Sequence, residues 1–146
     1  DSVKSRGLGD VYKRQINLIA PIILSKNMAS QKMKSSIINI LDIYAEKPLA
    51  SYFSYTISKA GLKMATKALA KELGPDIRVN GVSPGIILWP EDEGNKGFIS
   101  EEMVENLPLK KKGKPIDIAN TCYFLAEVAP FITGEIVTVD GGQSLS

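Results

Sequence analysis

Asp42, Tyr55 and Lys59 are the residues of this sequence whose types and spacing could do chemistry. Tyr55 and Lys59 stand four positions apart, which places them on one face of a helix. There the ammonium can lower the pKa of the phenol by charge attraction and make it a usable proton donor. An apolar segment at 37–41 leads into Asp42, so the carboxylate follows a strand at the sheet edge where open α/β sheets bind ligands. We therefore predict a proton-delivery site.

The elements that must position these side chains can be read from apolar periodicity and from turn residues. Strands alternate with helices, which predicts an α/β fold with a parallel sheet. The predicted helices are 16–33, 52–73, 100–106 and 115–127, and the predicted strands are 35–41, 77–82 and 135–139. Gly74-Pro75 is the predicted stop of the long helix, Ser100 the N-cap of the next one, and the segment 84–99 a lid.

Three segments beyond the Tyr-x-x-x-Lys motif carry a family resemblance. They are Ala60-Gly61-Leu62, the Arg-Val-Asn-Gly-Val-Ser-Pro-Gly run at 78–85, and the stretch from Phe-Ile-Thr-Gly at 131–134 to Val-Asp-Gly-Gly at 139–142. Together they resemble the short-chain dehydrogenase/reductase family over about residues 16–146. Most members carry Ser at the position of Asp42. The Asp, with Ile-Ile-Leu-Trp-Pro-Glu at 86–91, is similar to the pteridine reductase branch.

The resemblance implies a fold, and it also implies that the first part of that fold is missing from the chain. The chain would form the C-terminal half of a doubly wound, Rossmann-like domain, with the last three of about seven strands. The first strands and the glycine-rich phosphate loop would be missing, because Gly7 and Gly9 supply no G-x-G-x-x-G or G-x-x-x-G-x-G pattern between a strand and a helix.

The resemblance also assigns catalytic roles, each with a plainer alternative. Tyr55 would donate the proton, and Lys59 would hold the cofactor's ribose hydroxyls and depress the tyrosine's pKa. Asp42 would share or relay a proton to a basic ring nitrogen, and Asn17 would hold a water that links the lysine to solvent. The alternatives are an ordinary Tyr-Lys pair on a helix face, a strand-end Asp that caps the next turn, and a polar residue near a helix start.

Further residues would bind cofactor or substrate. The backbone of Pro84 and Gly85 would approach the nicotinamide, and backbone groups of Ile87 would bind its carboxamide. Trp89 stands where the family often has Thr for the pyrophosphate, and would line the substrate site or pack as a lid residue. Tyr52 would stack on a flat ring or simply pack on the preceding loop.

The function implied is that of a cytoplasmic, NADPH-dependent reductase of a pterin or dihydrofolate C=N bond. It would be a homodimer or homotetramer through the helices at 17–33 and 52–73. The alternatives are a carbonyl reductase, for instance of 3-oxoacyl thioesters, and a non-catalytic truncated fragment.

Residues 1–15 have no place in the family pattern. Asp-Val-Tyr-Lys-Arg-Gln at 10–15 back-translates as GAT GTG TAT AAG AGA CAG, which reads as a transposase adapter from shotgun sequencing. We interpret residues 1–15 as an adapter artefact, or otherwise as a disordered tail.

Composition excludes several other classes of protein. A net charge of +2 argues against nucleic-acid binding. With one Cys and no His, a zinc site is not expected, and Cys122 has no intramolecular disulfide partner, which fits a reducing compartment. No apolar run reaches the roughly 20 residues of a membrane span.

Overall fold

The computed structural model describes residues 11–49, 52–87 and 100–145. In chain order the main elements are α1 (Ala20–Ala29), β1 (Ser35–Ile40), α2 (Phe53–Leu73), β2 (Ile77–Pro84), α3 (Glu101–Glu105), α4 (Pro115–Tyr123) and β3 (Ile136–Val139). π-helical turns at Gln15–Ile19 and Phe124–Val128 adjoin α1 and α4, and 3₁₀ turns occupy Ile43–Ala45 and Gln143–Leu145.

The three strands form one parallel sheet in the order β1-β2-β3. Ile37 is paired with Val79, and Val82 with Val137. Because the strands run in the same direction, all three carboxyl ends meet at one edge of the sheet. This confirms the predicted α/β class and brings Asp42, Gly85 and Asp140 to the same edge.

Helix α2 covers one face of the sheet. Its Leu69 and Ala70 pack against Ile77 and Val79 of β2, and all four are buried. Full burial of each large aliphatic side chain stabilises a fold by about 1.5–3 kcal/mol. This contact fixes the position of α2 on the sheet. It thereby also fixes the position of Tyr55 and Lys59, which lie near the start of that helix.

Arg78 anchors the other face. Alternate strand residues point to opposite faces, so Arg78 lies opposite Ile77 and Val79. Its Nη1 donates to the carbonyls of Leu125, Ala129 and Ile132, and its Nη2 to that of Ala126, at 2.6–3.3 Å. The guanidinium thus donates to carbonyls in and after the π-helical turn that follows α4, and ties this segment to β2. Two of these carbonyls have a second donor, since that of Ala129 also accepts from the Ile132 N–H and that of Ile132 from Asn80 Nδ2.

Two element boundaries differ from the prediction. The first helix ends at Ala29 and not at 33, and Lys32 has a φ of 55°, which no helix residue adopts. Strand β2 runs two residues further than predicted because Pro84 pairs with Val139, after which the Gly85 N–H donates to the Val139 carbonyl. The N-cap of α3 is confirmed, since the Ser100 hydroxyl accepts from the Met103 N–H.

Two predicted segments fall partly or wholly outside the described residues. Of residues 1–15, positions 11–15 are helical and run into the turn before α1; the adapter origin of this segment stays a prediction. Of the predicted lid at 84–99, positions 88–99 lie outside the described ranges, and Trp89 with them. Within the described ranges, no helix is both long and apolar enough to span a membrane.

Candidate active site

Asp42 and Tyr55 form a hydrogen-bonded pair at the carboxyl edge of the sheet. The Tyr55 hydroxyl donates to Asp42 Oδ2 at 2.5 Å. Asp42 Oδ1 accepts from the Tyr44 N–H at 2.9 Å, which makes Asp42 the N-cap of the 3₁₀ turn that follows β1. The capping role and the contact with the tyrosine, which were alternative readings of the sequence, therefore exist together, one on each carboxylate oxygen.

The pKa of Tyr55 is raised well above its ordinary value in this structure. Burial of the phenol contributes most, followed by the hydrogen bond to Asp42 and then by the charge of Asp42. The net direction is thus opposite to the depressed pKa expected beside Lys59, whose ammonium is not among the causes of the shift. The phenol keeps its proton at neutral pH.

Lys59 lies one helical turn after Tyr55, as the spacing predicts. Its Nζ donates to the Ile40 carbonyl at 2.9 Å and lies 5.8 Å from the centroid of the Tyr55 ring. Burial lowers its pKa, and the charge of Asp42 opposes that shift only in part. One N–H of the ammonium is used by β1, so two remain to bind hydroxyl groups.

Asn17 lines a cavity that Lys59 also lines. Together with Lys59, Asn39 and Ile40 it lines a cavity of about 380 Å³ between α1 and the outer edge of β1. The structure thus brings Asn17 to the same cavity as the lysine, although its assignment as the holder of a water stays a prediction.

Asp42 lines a second cavity, of about 270 Å³, which we call the Asp42 cavity. Four residues predicted from the sequence to bind substrate or cofactor, or to act on them, line it: Asp42, Tyr52, Gly85 and Ile87. The Tyr52 ring is 40% exposed, and the Lys13 Nζ lies 5.5 Å from its centroid. An aromatic ring in this position can stack on a flat ligand.

Six further residues line the Asp42 cavity and were not predicted as site residues, and the three with polar or long side chains are Tyr44, Met103 and Gln143. Tyr44 had a usable signal, because it stands two residues after Asp42 at the same strand end. Gln143 had one as well, since it follows Gly141-Gly142, whose φ values of 63° and 90° turn the chain back over the edge of the sheet. For Met103 we find no signal, because it reaches the cavity through tertiary packing alone.

The described residues fit one end of a nicotinamide dinucleotide. Lys59 offers free N–H donors for ribose hydroxyls, and Gly85 and Ile87 supply backbone along the wall of the Asp42 cavity. Among the residues that the structure describes, no group of three His, Cys, Asp or Glu side chains could hold a metal ion.

A family model described as enoyl-(acyl carrier protein) reductase matches residues 13–144, a range that contains all three strands and the Asp42–Tyr55–Lys59 cluster. This chain belongs to the short-chain dehydrogenase/reductase family. The sequence motifs and the three-stranded parallel sheet both agree with that membership.

Three members of the short-chain dehydrogenase/reductase family illustrate the range of similar proteins. The 3-oxoacyl-acyl-carrier-protein reductase of Aquifex aeolicus is 34% identical over 134 residues, which are 88% of this chain and 54% of that protein. The alternative dihydrofolate reductase FolM of Brucella canis, solved with NADP, is 34% identical with a TM-score of 0.78 over 92% of this chain and 53% of that one. A 4-hydroxyisoleucine dehydrogenase solved with NADH is 33% identical with a TM-score of 0.80, over 91% of this chain and 58% of that one. The chain spans about half the length of the curated relatives it matches.

Proposed function

We propose that the whole protein is an NADPH-dependent reductase of a C=N bond in a pterin or a dihydrofolate. The observation that carries this proposal is the carboxylate of Asp42, bonded to the Tyr55 hydroxyl at 2.5 Å beside a cavity with two tyrosine side chains. A ring nitrogen is more basic than a carbonyl oxygen, so a carboxyl group can exchange a proton with it. The similarity to the Brucella canis dihydrofolate reductase supports the same substrate class.

The pair can deliver a proton in two linked transfers. The Tyr55 hydroxyl gives its proton to the substrate nitrogen, and the phenolate regains one that Asp42 passes on from solvent across their hydrogen bond, so that the cycle takes up one proton from water and leaves the carboxylate as it began. The raised pKa of Tyr55 makes this second transfer necessary, because a phenolate beside an ionised carboxylate is strongly disfavoured. A bound nicotinamide supplies the hydride, which no side chain can.

In this proposal, Lys59 and the cavity residues bind and orient the cofactor and the substrate. The ammonium of Lys59, fixed on the Ile40 carbonyl, holds ribose hydroxyls, and Asn17 completes a water path from its cavity to solvent. Tyr52 and Tyr44 stack on the flat ring of the substrate, while Gly85 and Ile87 border the nicotinamide. Pro84 sets the direction in which that segment leaves β2. Trp89 remains a candidate for the substrate side.

Assembly and location complete the proposal. Apolar side chains on the exposed faces of α1 and α2 suit an interface between copies of the protein, as a homodimer or homotetramer. They are Ile23 and Leu24 on α1, and Phe53, Ile57 and Met64 on α2, with exposures of 46–75%. A cytoplasmic location agrees with the supply of NADPH and folate-like substrates.

A carbonyl reductase of 3-oxoacyl thioesters is the second candidate. The similarity to the Aquifex aeolicus enzyme favours it, and Tyr55 with Lys59 would serve that reaction equally well. A substrate panel separates the two. The full-length enzyme with NADPH should reduce dihydrobiopterin or dihydrofolate, and Asp42→Ser should lower that turnover by about a hundredfold, in the range of general acid-base catalysis. Faster reduction of an acetoacetyl thioester than of either pterin would favour the second candidate.

A non-catalytic product is the third candidate, and it concerns this 146-residue chain alone. The chain contains the proton-delivery residues but no glycine-rich phosphate loop. We propose that activity belongs to the whole protein and not to this segment.

A further inference from the structure

We propose that Gln143 is a positioning residue that holds the Gly85–Ile87 backbone along the wall of the Asp42 cavity. The proposal rests on the proposed function, because its consequence is an effect on the affinity for NADPH. It concerns the C-terminal 3₁₀ turn, which the sequence motifs assign to no role beyond closing the last strand.

Gln143 holds the Gly85–Ile87 segment through a hydrogen bond to its central residue, Ile86. Its side-chain Oε1 accepts from the Ile86 N–H at 3.0 Å across 57 positions of sequence. The same side chain lines the Asp42 cavity. A Cβ added at Gly85 would lie 2.7 Å from Gln143 Oε1 and 2.5 Å from Asp140 Cβ. The glycine therefore admits the C-terminal turn, which is a different reason from the close approach to nicotinamide that its place in the motif implies.

The turn that carries Gln143 is itself fixed by Asp140. The Asp140 carboxylate accepts from the Gly142 N–H at 2.9 Å and from the Ser144 N–H at 2.7 Å, and the Asp140 carbonyl accepts from the Gln143 N–H at 3.1 Å. Burial acts to raise the pKa of Asp140, but hydrogen bonds from the Ser144 side chain and from backbone N–H groups, those of Gly142 and Ser144 among them, outweigh it and hold the pKa below its ordinary value. These bonds place the turn that carries the amide of Gln143.

The held segment has a second anchor on its other side. The Ile86 carbonyl accepts from the Gly113 N–H at 3.0 Å, and Ile87 forms a bridge with Gly113. Loss of the Gln143 acceptor would leave the Ile86 N–H without this partner while the Gly113 contact remains. Asp42 and Tyr55 are held by β1 and α2, so the proton-delivery pair should keep its geometry. The affinity for NADPH should fall, because this segment borders the nicotinamide in the proposed function, and the rate of the chemical step should not.

Amide hydrogen exchange of Ile86 in this chain, followed by NMR, tests the contact directly. Gln143→Leu removes the acceptor at similar volume, whereas Gln143→Glu retains an oxygen that can accept. We expect exchange of the Ile86 amide to be about tenfold faster in Gln143→Leu, and close to that of the unmodified chain in Gln143→Glu. Leu145→Ala is the matched control, because its side chain is 84% exposed in the same turn; it should change nothing.

Kinetics of the full-length enzyme test the consequence. In Gln143→Leu, at saturating dihydrobiopterin, we expect the KM for NADPH to rise about tenfold with kcat within twofold, and Gln143→Glu to restore that KM. Unchanged Ile86 exchange in Gln143→Leu, or faster exchange shared equally by the amides of β2 and β3, would overturn the proposal. A fall in kcat at constant KM would do the same. An enzyme that turns over no pterin would refute the proposed function, whereas the exchange experiment would still judge the Gln143 contact.

Discussion

A carboxylate next to a tyrosine changes what that tyrosine can do. Where most members of the family carry a hydroxyl, Asp42 accepts a hydrogen bond from Tyr55 and, after burial, raises the pKa of the phenol through that bond and its charge. Lys59, which spacing alone would place as the acidifying group, is bonded to the Ile40 carbonyl instead. At the scale of residues, these contacts are the basis on which we propose a proton relay rather than a single acidified phenol.

The first prediction concerns the pKa of Tyr55. Asp42→Asn removes the charge that raises it, so the pKa should fall, but only in part, because burial is the largest cause and remains. Ultraviolet titration of tyrosinate should show one phenol that ionises at lower pH in the variant. Tyr55→Phe identifies that phenol among the five tyrosines, and an identical titration of Asp42→Asn and the unmodified chain would contradict the assigned cause.

The second prediction follows from the same shift by linkage. A folded-state pKa above the unfolded value of about 10 means that the folded chain holds the Tyr55 proton more tightly. This contribution to stability is complete below about pH 10 and is lost as the pH rises through the folded pKa. Urea unfolding should therefore show a shallower alkaline loss of stability in Tyr55→Phe than in the unmodified chain. Tyr12→Phe, at an exposed tyrosine, is the control; parallel alkaline losses in both variants would refute the linkage.

Residue types and spacing were enough to predict that Asp42, Tyr55 and Lys59 lie together, because a strand end and a helix face are short-range features. They were not enough to predict whether the pKa of Tyr55 is raised or lowered, because that depends on burial and on which neighbour comes closest. The contact between Gln143 and Ile86 was beyond them too, since the two residues are 57 positions apart. Contacts of that kind depend on how the sheet brings distant turns together.

At the scale of elements, two sets of contacts on opposite faces of the sheet hold the helices against it. Leu69 and Ala70 of α2 pack on one face, and Arg78 ties the end of α4 to the other. The existence and order of the helices and strands were predictable from periodicity. Their ends were less so: the first helix stops at Ala29 and β2 reaches Pro84, because local backbone conformation and strand pairing decide these limits.

The third prediction tests the hydrogen bonds that Arg78 donates. Arg78→Met should lower the free energy of unfolding by about 3 kcal/mol, since it leaves several carbonyls at the end of α4 without their charged donor. Urea unfolding of the chain measures this value. Lys71→Met, at an exposed position of α2, should change it by less than about 0.5 kcal/mol. Equal effects of the two substitutions would show that the guanidinium contacts contribute nothing specific.

At the scale of the whole molecule, the described part of the chain contains a sheet with an exposed edge at β1. Among the described residues, β1 pairs with a strand on one edge only, and its Ile40 is 44% exposed. The cavity that contains Asn17 and Lys59 lies along that open edge. An unpaired edge of this kind invites association with other chains, and the chain covers about half of its curated relatives.

The fourth prediction is that this chain by itself neither binds NADPH measurably nor turns over a pterin. It can contact the nicotinamide end through Lys59 and Ile87, but its sequence has no glycine-rich loop for the phosphates. Titration calorimetry with NADPH should give no resolvable heat of binding, with the full-length protein as the positive control. Tight binding of one NADPH per chain would refute the prediction.

The proposed C=N reductase activity is tested most directly by steady-state turnover of the full-length enzyme, compared with its Asp42→Ser variant. Dihydrobiopterin, dihydrofolate and an acetoacetyl thioester serve as substrates, with NADPH in each case. We predict that the unmodified enzyme prefers a pterin, and that Asp42→Ser lowers pterin turnover about a hundredfold. Undiminished pterin turnover in the variant, or a preference of the unmodified enzyme for the thioester, would contradict the role given to Asp42.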